Sequence, residues 1–598
     1  MNIRHLFPSA SSHQETNTVP AFLQRNQAGD LLTFYSERQS RYEGWFVRRG
    51  SSFFKLLERI EILDADGAPI RVIGITNTGA SHYWQLEDGS SLGWKLLSTL
   101  SGLTVRADRI VRFRISIDPR GTYTFPQFDR RLEVTQDRSG TLISYADSAS
   151  VSTAYLHLRT RGELKLDQSW QECRYPRDTA RNSAPDKLFG YRLGECQTDS
   201  LAFGFGSTAS DALTSSLAAS RQRPVAPPEG PVYGHQTLVN RTACARLSVQ
   251  QSLRWLQSTE GQWAGLPWFH QVWSRDELIA ALGSSRDLQH GVLDRYLGQQ
   301  LAGGELSTYL GSGSSCADGV GWLCLLASQY AQPDFPIGLE KRLINFLKRA
   351  RSGLLAGRMT DTGLIRSGQN ATWMDTIGRD GVRLEIQCMY AKLLELLFEL
   401  TGEATFEQER LTLLAVIRQH FLVNGQLLDG IGDETIRPNV FLAYLLQPEL
   451  LSGRLWRSCF DSALEGLWLP WGGLASLDGR DARFQERSTG EDNRSYHCGD
   501  SWFFINNLAA IALYRLDAKC YGTRITAVLE ASTAEILWHN FVGMPGEISS
   551  AAELDSWGCG LQAFSGGTYL WLLREIEGHT AEPDLDAAGF FWDSSTRP

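Results

Sequence analysis

Residues 384–398 read LEIQCMYAKLLELLF, and their apolar side chains recur at the spacing of an α-helix. The positions that mark one helical face are Leu384, Cys388, Ala391, Leu394 and Phe398. Gly402 follows as a natural helix stop. Further apolar residues fall between the marked positions, whereas a helix with one wet face shows a single apolar stripe. The stretch therefore predicts an inner helix that is covered by an outer layer of helices.

The rest of the C-terminal part of the chain follows the same pattern. A second helical segment is predicted from Leu411 to Val423, and broad apolarity returns in other segments. The stretches between these helices are loops rich in Gly, Trp, Asp and Arg. We predict a ring of helix pairs that holds its functional site in these loops.

The N-terminal part alternates instead with period two, which is typical of half-buried strands. The alternation is clearest from Val111 to Ile117, within a region that runs from about residue 44 to about residue 159. We expect an antiparallel β-sandwich there, an irregular stretch from 160 to 200, and one more strand over 201–206. The predicted boundaries are a β-sandwich domain at 1–222, a Pro-rich linker at 223–235 and the helical domain at 236–598.

Composition excludes several classes of function. The 598 residues are enough for two domains, and a net charge of -9 without a basic block argues against nucleic-acid binding. No apolar run is long enough for a bilayer and no signal core follows Met1, so we expect no membrane partner and a cytoplasmic location. The ten cysteines lack metal-ligand spacing, which predicts free thiols and no metal. The Gly204/Gly206 pair lacks the third glycine of a dinucleotide site, so no cofactor is expected.

The stretch Thr372-Trp373-Met374-Asp375 places an acid beside an aromatic ring at an expected helix start. An indole excludes water from a neighbouring carboxyl, which is the setting in which proton donors to sugars are tuned. Asp is also a common helix cap. The stretch alone leaves catalysis and capping as equal alternatives for Asp375.

A second stretch, Gly265 to Asp276, holds three aromatic residues and the Arg275/Asp276 pair directly before an apolar helix. Rings stack on sugar faces, and a charged pair can hydrogen-bond several hydroxyls of one sugar. The structural alternative is that Asp276 caps the helix and Arg275 bridges to it.

Further polar clusters at predicted helix starts are 433–439 and 494–502. Near the C-terminus, an acid-bearing loop with Glu547 and Glu553 precedes the stretch from Gly558 to Ser565. Hydrolysis of a glycosidic bond needs one protonated acid and a second carboxylate. Either glutamate can supply the second.

Taken in order, these segments resemble the glucosidase region of the glycogen-debranching amylo-alpha-1,6-glucosidase family. The segments that carry the resemblance are Gly265 to Asp276, Thr372 to Asp375, Leu384-Glu385-Ile386, Arg437-Pro438-Asn439, Tyr496 to Trp502, and Gly558 to Ser565, with Arg41-Tyr42-Glu43-Gly44 near the N-terminus. The chain departs from the family's pattern at Glu43, Tyr390 and Phe564, which bears on the substrate more than on the reaction class.

The resemblance implies a β-sandwich followed by a six-over-six (α/α) toroid and an inverting hydrolase that removes α-1,6-linked glucose from branch stubs of glycogen-like α-glucans. It makes Asp375 the general acid and points to Glu547 as the general base, with Glu553 as competitor. The residues expected to bind an α-glucan or oligosaccharide are Trp268, Phe269, Arg275, Asp276, Trp373, Glu385, Arg437, Asn439, His497, Trp502 and Gln562.

Alternatives remain at this point. A glucoamylase-like or trehalase-like inverting glycosidase would use the same fold, and an inactive carbohydrate-binding protein would keep the aromatic pocket. Nothing in the sequence reads as a βα barrel, so any glucan transfer before trimming would need a separate transferase.

Overall fold

The structure is a computed structural model that describes residues 1–50, 52–79, 81–125, 129–147, 153–222, 237–330 and 337–578. It contains an N-terminal domain built on one large sheet and a C-terminal domain of helices. The Pro-rich linker predicted at 223–235 lies outside the described residues.

In the described part of the N-terminal domain, fifteen strands belong to one sheet. The strands are β1 (Asn2–Phe7), β2 (Ala10–Glu15), β3 (Ala21–Arg25), β4 (Leu31–Tyr35), β5 (Gly44–Arg49), β6 (Ser52–Leu63), β7 (Val72–Asn77), β8 (His82–Leu86), β9 (Ser91–Leu96), β10 (Gly102–Gly121), β11 (Arg130–Asp137), β12 (Gly140–Asp147), β13 (Ala154–Thr160), β14 (Leu164–Arg174) and β15 (Lys187–Gly206). Two helices accompany them, α1 (Pro176–Ala180) and α2 (Ala209–Arg221).

The alternation that predicted strands is confirmed in β10, which pairs with β6, β9 and β15. The side chains of Phe113, Ile115 and Ile117 are fully buried and join one apolar core with Trp45 and Trp94. Because side chains in a strand point to opposite faces in turn, the Arg and Ser residues between them face away from that core.

The expected purely antiparallel sandwich is wrong in one respect, since the sheet is mixed. β1 runs parallel to β7, with Ile3 opposite Ile75. A parallel pair needs a long connection, and the five strands β2 to β6 lie between these two along the chain. The first four strands, β1 to β4, also lie before residue 44, where the sequence first showed alternation.

The irregular stretch expected from 160 to 200 is also wrong. It contains β14 and most of β15, which pair with each other over nearly the whole length of β14. On β14 the side chains are mostly exposed, so no apolar alternation marks it. A strand with both sides partly in water lacks the signal that sequence patterns provide.

The described residues of the C-terminal domain form twelve α-helices. They are α3 (Leu238–Leu256), α4 (Ser274–Ala281), α5 (Arg286–Leu297), α6 (Gly319–Ser328), α7 (Ile337–Gly357), α8 (Leu384–Thr401), α9 (Ala404–Phe421), α10 (Asn439–Leu446), α11 (Gly453–Leu467), α12 (Phe503–Asp517), α13 (Gly522–Trp538) and α14 (Ala563–Glu577). The predicted helix over 384–398 is confirmed as α8, and Gly402 ends it in the left-handed conformation with φ 67°.

The helices form a closed ring. α4, α6, α8, α10, α12 and α14 contact one another in that order, and α14 returns to α4. The alternate helices pack outside, as α9 does on α8 and α13 does on α12. All eight residues of α4 and of α10 are buried, as an inner layer requires. The C-terminal domain is therefore an (α/α) toroid.

The two domains pack directly against each other. Ala21 of β3 exchanges main-chain hydrogen bonds with the segment after α13, from its N–H to the Asn540 carbonyl (2.7 Å) and from the Val542 N–H to its own carbonyl (2.8 Å). α3 contacts β1 and β2. Apolar side chains of the sheet, among them Leu23 and Phe53, belong to the core of the toroid. The β domain therefore contributes to the core that supports the toroid.

All ten cysteines lie within the described residues and are free thiols, and Cys520 alone among them is exposed. Among the helices of the described ranges, none combines the length and apolarity needed to cross a bilayer.

Ring closure depends on a close backbone contact between α14 and α4. A Cβ atom on Gly567 would lie 2.3 Å from the Ala280 carbonyl oxygen, so Gly567→Ala must push the two helices apart. We expect this variant to lower the thermal unfolding midpoint. In the matched control, Gly291→Ala in α5, the new Cβ meets nothing within 4 Å. That change should stabilise the helix by about 0.5–1 kcal/mol. Equal midpoints for the two variants, measured by calorimetry, would contradict the closure contact.

Candidate active site

The predicted site residues gather where the inner helices begin. Arg275 and Asp276 lie in the first turn of α4, Asn439 opens α10, and Trp502 and Gln562 directly precede α12 and α14. Side-chain contacts described below join these helix starts to one another. The site therefore lies at one end of the ring.

The stretch that contains Asp375 is a turn and not a helix start. Helix α8 begins only at Leu384, so the interpretation of Asp375 as a helix cap is wrong. The neighbouring Trp373 is buried and donates its indole N–H to Asn439 Oδ1 at 2.8 Å. Asn439 in turn donates to Asp429 at 2.7 Å. These bonds fix the turn on the start of α10.

Asp375 lies between two cationic or polar partners. Its Oδ2 is 3.5 Å from Arg275 Nη1, and its Oδ1 is 3.5 Å from His497 Nε2. The side chain keeps 32% of its surface exposed. Burial raises the pKa of Asp375, but His497 and Arg275 more than offset this, so that its pKa lies below the usual value. Asp375 is thus an oriented carboxylate with access to a ligand.

Arg275 is held from its other side by an acid that the sequence analysis did not select. Its Nε donates to Asp318 Oδ2 at 2.7 Å, and the Trp322 indole contacts the same oxygen at 3.3 Å. Arg275 therefore bridges Asp318 and Asp375 and does not pair with Asp276 as a simple helix-start bridge would. Asp318 directly precedes α6, just as other site acids occur at inner-helix starts, and that position was the available signal.

Glu547 is buried, and each of its carboxyl oxygens accepts a hydrogen bond. Its Oε1 accepts the Tyr496 hydroxyl at 2.5 Å and its Oε2 accepts the Cys559 N–H at 2.7 Å. Burial raises the pKa of Glu547, although these two donors favour the carboxylate. The competing Glu553 is exposed. Tyr496 stands next to the predicted His497 in the sequence, yet it was not selected.

Asp276 belongs to the same group of charges. It accepts the Gln562 amide N–H at 2.8 Å, which joins the starts of α4 and α14. The pKa of Asp276 is raised to about 7, chiefly by burial. Arg275 and Gln562 oppose this rise, whereas the charges of Glu547 and Asp375 contribute to it. Three carboxyl groups are therefore close enough to affect one another's ionisation.

A cluster of rings covers the site. His497 stacks on Trp502 with centroids 4.8 Å apart and planes within 6°, and the Trp373 ring meets both edge-on. The partly buried Trp268 packs 6.5 Å from Phe269 and 5.2 Å from Tyr42 of the β domain. Aromatic walls of this kind lower water access around the carboxyls and suit sugar faces.

Two predicted binding residues are placed behind this surface. Glu385 is fully buried and forms an ion pair with Arg379 at 2.8 Å, and Arg379 also pairs with Asp429 at 2.7 Å. Arg437 is buried and donates to the main-chain carbonyl of His497 at 2.6 Å. Both contacts position loops, and direct substrate binding by Glu385 and Arg437 stays a prediction.

Some acceptors at the site have no partner. Gln562 Oε1 and Asp318 Oδ1 are buried without a hydrogen-bond partner among the described residues. Sugar hydroxyls are donors and would satisfy such atoms, since buried polar groups are normally paired. Within the same described ranges, no group of three or more His, Cys, Asp or Glu side chains could hold a metal ion.

A group of carboxyls with aromatic walls, placed at one end of an (α/α) toroid, is the kind of site that a carbohydrate-cleaving enzyme needs. Residues 341–570, which include Asp375 and Glu547, match the family model described as Amylo-alpha-1,6-glucosidase. The resemblance that the motif order predicted is therefore confirmed over this segment, which matches a glycoside hydrolase family.

Solved structures agree on the fold. A bacterial glucoamylase in complex with acarbose superposes with a TM-score of 0.60 at 11% identity, covering 94% of this chain and 96% of its own. A wild-type glycosidase gives a TM-score of 0.41 at 17% identity, covering 57% of this chain and 98% of its own. The GH63 mannosylglycerate hydrolase from Thermus thermophilus in complex with Tris gives a TM-score of 0.43 at 12% identity, covering 55% of this chain and 100% of its own. The last two similarities are too loose to carry an argument. No curated protein matches the sequence.

Proposed function

We propose that the protein removes α-1,6-linked glucose from branch stubs of glycogen-like α-glucans by an inverting mechanism with two carboxyl groups. The observation that carries the proposal is that two neighbouring residues connect the carboxyls: His497 contacts Asp375, and Tyr496 donates to Glu547. Both carboxyls lie inside the segment that matches the amylo-alpha-1,6-glucosidase family. An inverting enzyme needs one carboxyl to protonate the leaving oxygen and the other to activate water.

Asp375 is proposed as the general acid. A sugar that enters the site displaces the water that reaches the 32% exposed Asp375 side chain, and this desolvation raises the pKa of a carboxyl. Glu547 is already buried and has little exposure to lose. Substrate binding thus acts most strongly on the pKa of Asp375, which favours its protonation when the leaving oxygen is in place.

Glu547 is proposed as the general base. The Tyr496 hydroxyl and the Cys559 amide both donate to it, and donors of this kind stabilise the ionised form. Its burial and these contacts distinguish it from the exposed Glu553. The opposite assignment has support of its own, because the structure lowers the pKa of Asp375 and raises that of Glu547.

A second candidate function is hydrolysis of α-glucosides in the manner of glucoamylases. The similarity to the bacterial glucoamylase spans nearly the whole chain, β domain included, and this favours it. We further propose that the protein acts in the reducing cytoplasm, to which its ten free thiols are suited. A separate glucan transferase would then prepare its branch stubs.

Linkage preference separates the two candidate functions. The wild-type protein should release glucose from limit dextrin and isomaltose-type oligosaccharides faster than from maltose, and should leave trehalose intact. NMR of the first product should show β-glucose, since an inverting enzyme changes the anomer of an α-glucoside. Faster release from maltose would favour the glucoamylase-like function and contradict the debranching proposal.

Leaving-group chemistry separates the two carboxyl roles. Fluoride departs without protonation, so Asp375→Asn should lose roughly 100- to 10,000-fold in kcat on isomaltose yet retain most activity on α-glucosyl fluoride. Glu547→Gln should lose activity on both substrates, because water activation is needed in each case. The matched control, Glu553→Gln, removes an exposed carboxyl of the same loop and should behave as the wild type.

The reverse pattern, with Glu547→Gln active on the fluoride and Asp375→Asn inactive, would exchange the two roles. A large loss in Glu553→Gln would overturn the choice of Glu547.

A further inference from the structure

Arg181 of the β domain has a buried side chain that lies against the Trp268 ring of the toroid. Arg181 follows α1 directly, and its residue exposure is only 6%. Its Nε has no hydrogen-bond partner among the described residues. Burial and the charge of Arg177 lower the pKa of Arg181, and the charges of Glu491 and Asp178 offset this only in part. A buried guanidinium is normally paired, because leaving it unpaired is costly. Arg181 is thus a buried cation without an ion-pair partner in the described ranges.

The position of Arg181 places this cation beside the proposed base. Its guanidinium lies 4.4 Å from the centre of the Trp268 ring. The loop that carries Trp268 contacts Cys559, whose Sγ is 2.9 Å from the Leu266 carbonyl oxygen. The main-chain N–H of Cys559 in turn donates to the Glu547 carboxylate. The charge of Arg181 also lowers the pKa of Glu547 against the effect of burial.

The main chain around Arg181 is anchored to the toroid independently of the guanidinium. The Glu491 N–H donates to the Arg181 carbonyl at 2.8 Å, and Asn182 Nδ2 donates to the Thr489 carbonyl at 2.9 Å. Arg177, one helical turn earlier, does bind the toroid with its side chain, through the Ser556 carbonyl. Domain packing therefore uses Arg177 and the main chain, and leaves the Arg181 donors available.

We propose that Arg181 binds the substrate, with its guanidinium donating hydrogen bonds to hydroxyl oxygens of a bound sugar. A guanidinium is a planar fork of donors that suits neighbouring oxygens and stacks on an indole. The β domain is then part of the substrate site and not only a support for the toroid. This role rests on the proposed function, because it requires a sugar at the site.

Calorimetric binding of isomaltose tests this role in the Asp375→Asn background, where turnover does not interfere. Adding Arg181→Met should weaken isomaltose binding about tenfold or more, as expected for loss of hydrogen bonds from a charged donor. Arg181→Lys keeps the positive charge but loses the planar guanidinium. Its isomaltose affinity should lie between those of the parent and of Arg181→Met. The matched control is Arg524→Met, which removes an exposed guanidinium stacked 4.1 Å from the Trp468 ring and should leave affinity unchanged.

Thermal unfolding provides the second readout. Since Arg181→Met removes a buried charge that has no ion-pair partner among the described residues, its unfolding midpoint should be no lower than that of the parent. Unchanged isomaltose affinity in Arg181→Met would overturn the proposal, and a lowered midpoint together with unchanged affinity would assign the residue to domain packing. Absence of isomaltose binding in the parent itself would instead contradict the proposed function, and this role with it.

Discussion

The contact between the first and the last inner helix is the constraint on which the site depends. α4 and α14 approach through Gly567, so closely that no side chain fits between their backbones. This closure brings the start of α14 against the start of α4, where Gln562 binds Asp276 and the short strands Gly265–Leu266 and Leu561–Gln562 pair. Loops that are almost three hundred residues apart in the chain thereby share one pocket.

Charge balance then determines what the pocket can do. Buried ions are stable only with partners, and breaking such a pair is costly. Arg379 with Glu385 and Asp429 holds the loop before α8, while Arg275 joins Asp318 to Asp375. Among the site carboxyls, Asp276 and Glu547 have raised pKa values, whereas Asp375 has a lowered one. Carboxyls of unequal acidity at one site are the requirement of acid–base hydrolysis.

Much of this architecture could be predicted from the sequence because burial leaves a periodic pattern. α8 and β10 are buried on the faces that their patterns indicated. The exposed β14 and the parallel pairing of β1 with β7 could not be predicted in this way, since neither solvent-exposed strands nor strand direction leaves a local pattern.

The site residues also divide into those that the sequence could predict and those that it could not. Ordered motifs identified Arg275, Asp276, Trp373, His497, Trp502 and Gln562, and the structure brings these side chains together. Asp318, Tyr496 and Arg181 were missed because their contacts with other site residues are made across the fold. Asp375 was expected at a helix start, yet it lies in a turn that Trp373 and Asn439 secure.

The central claim is that Asp375 and Glu547 face each other across the bond that is cleaved. A crystal structure of Asp375→Asn with a bound isomaltose-type oligosaccharide measures this directly. The account predicts that the side-chain carbons of residues 375 and 547 lie roughly 6.5 to 9.5 Å apart on opposite sides of the glycosidic bond. A separation of about 5 to 5.5 Å would instead indicate a retaining enzyme, and about 15 Å would remove Glu547 from the mechanism.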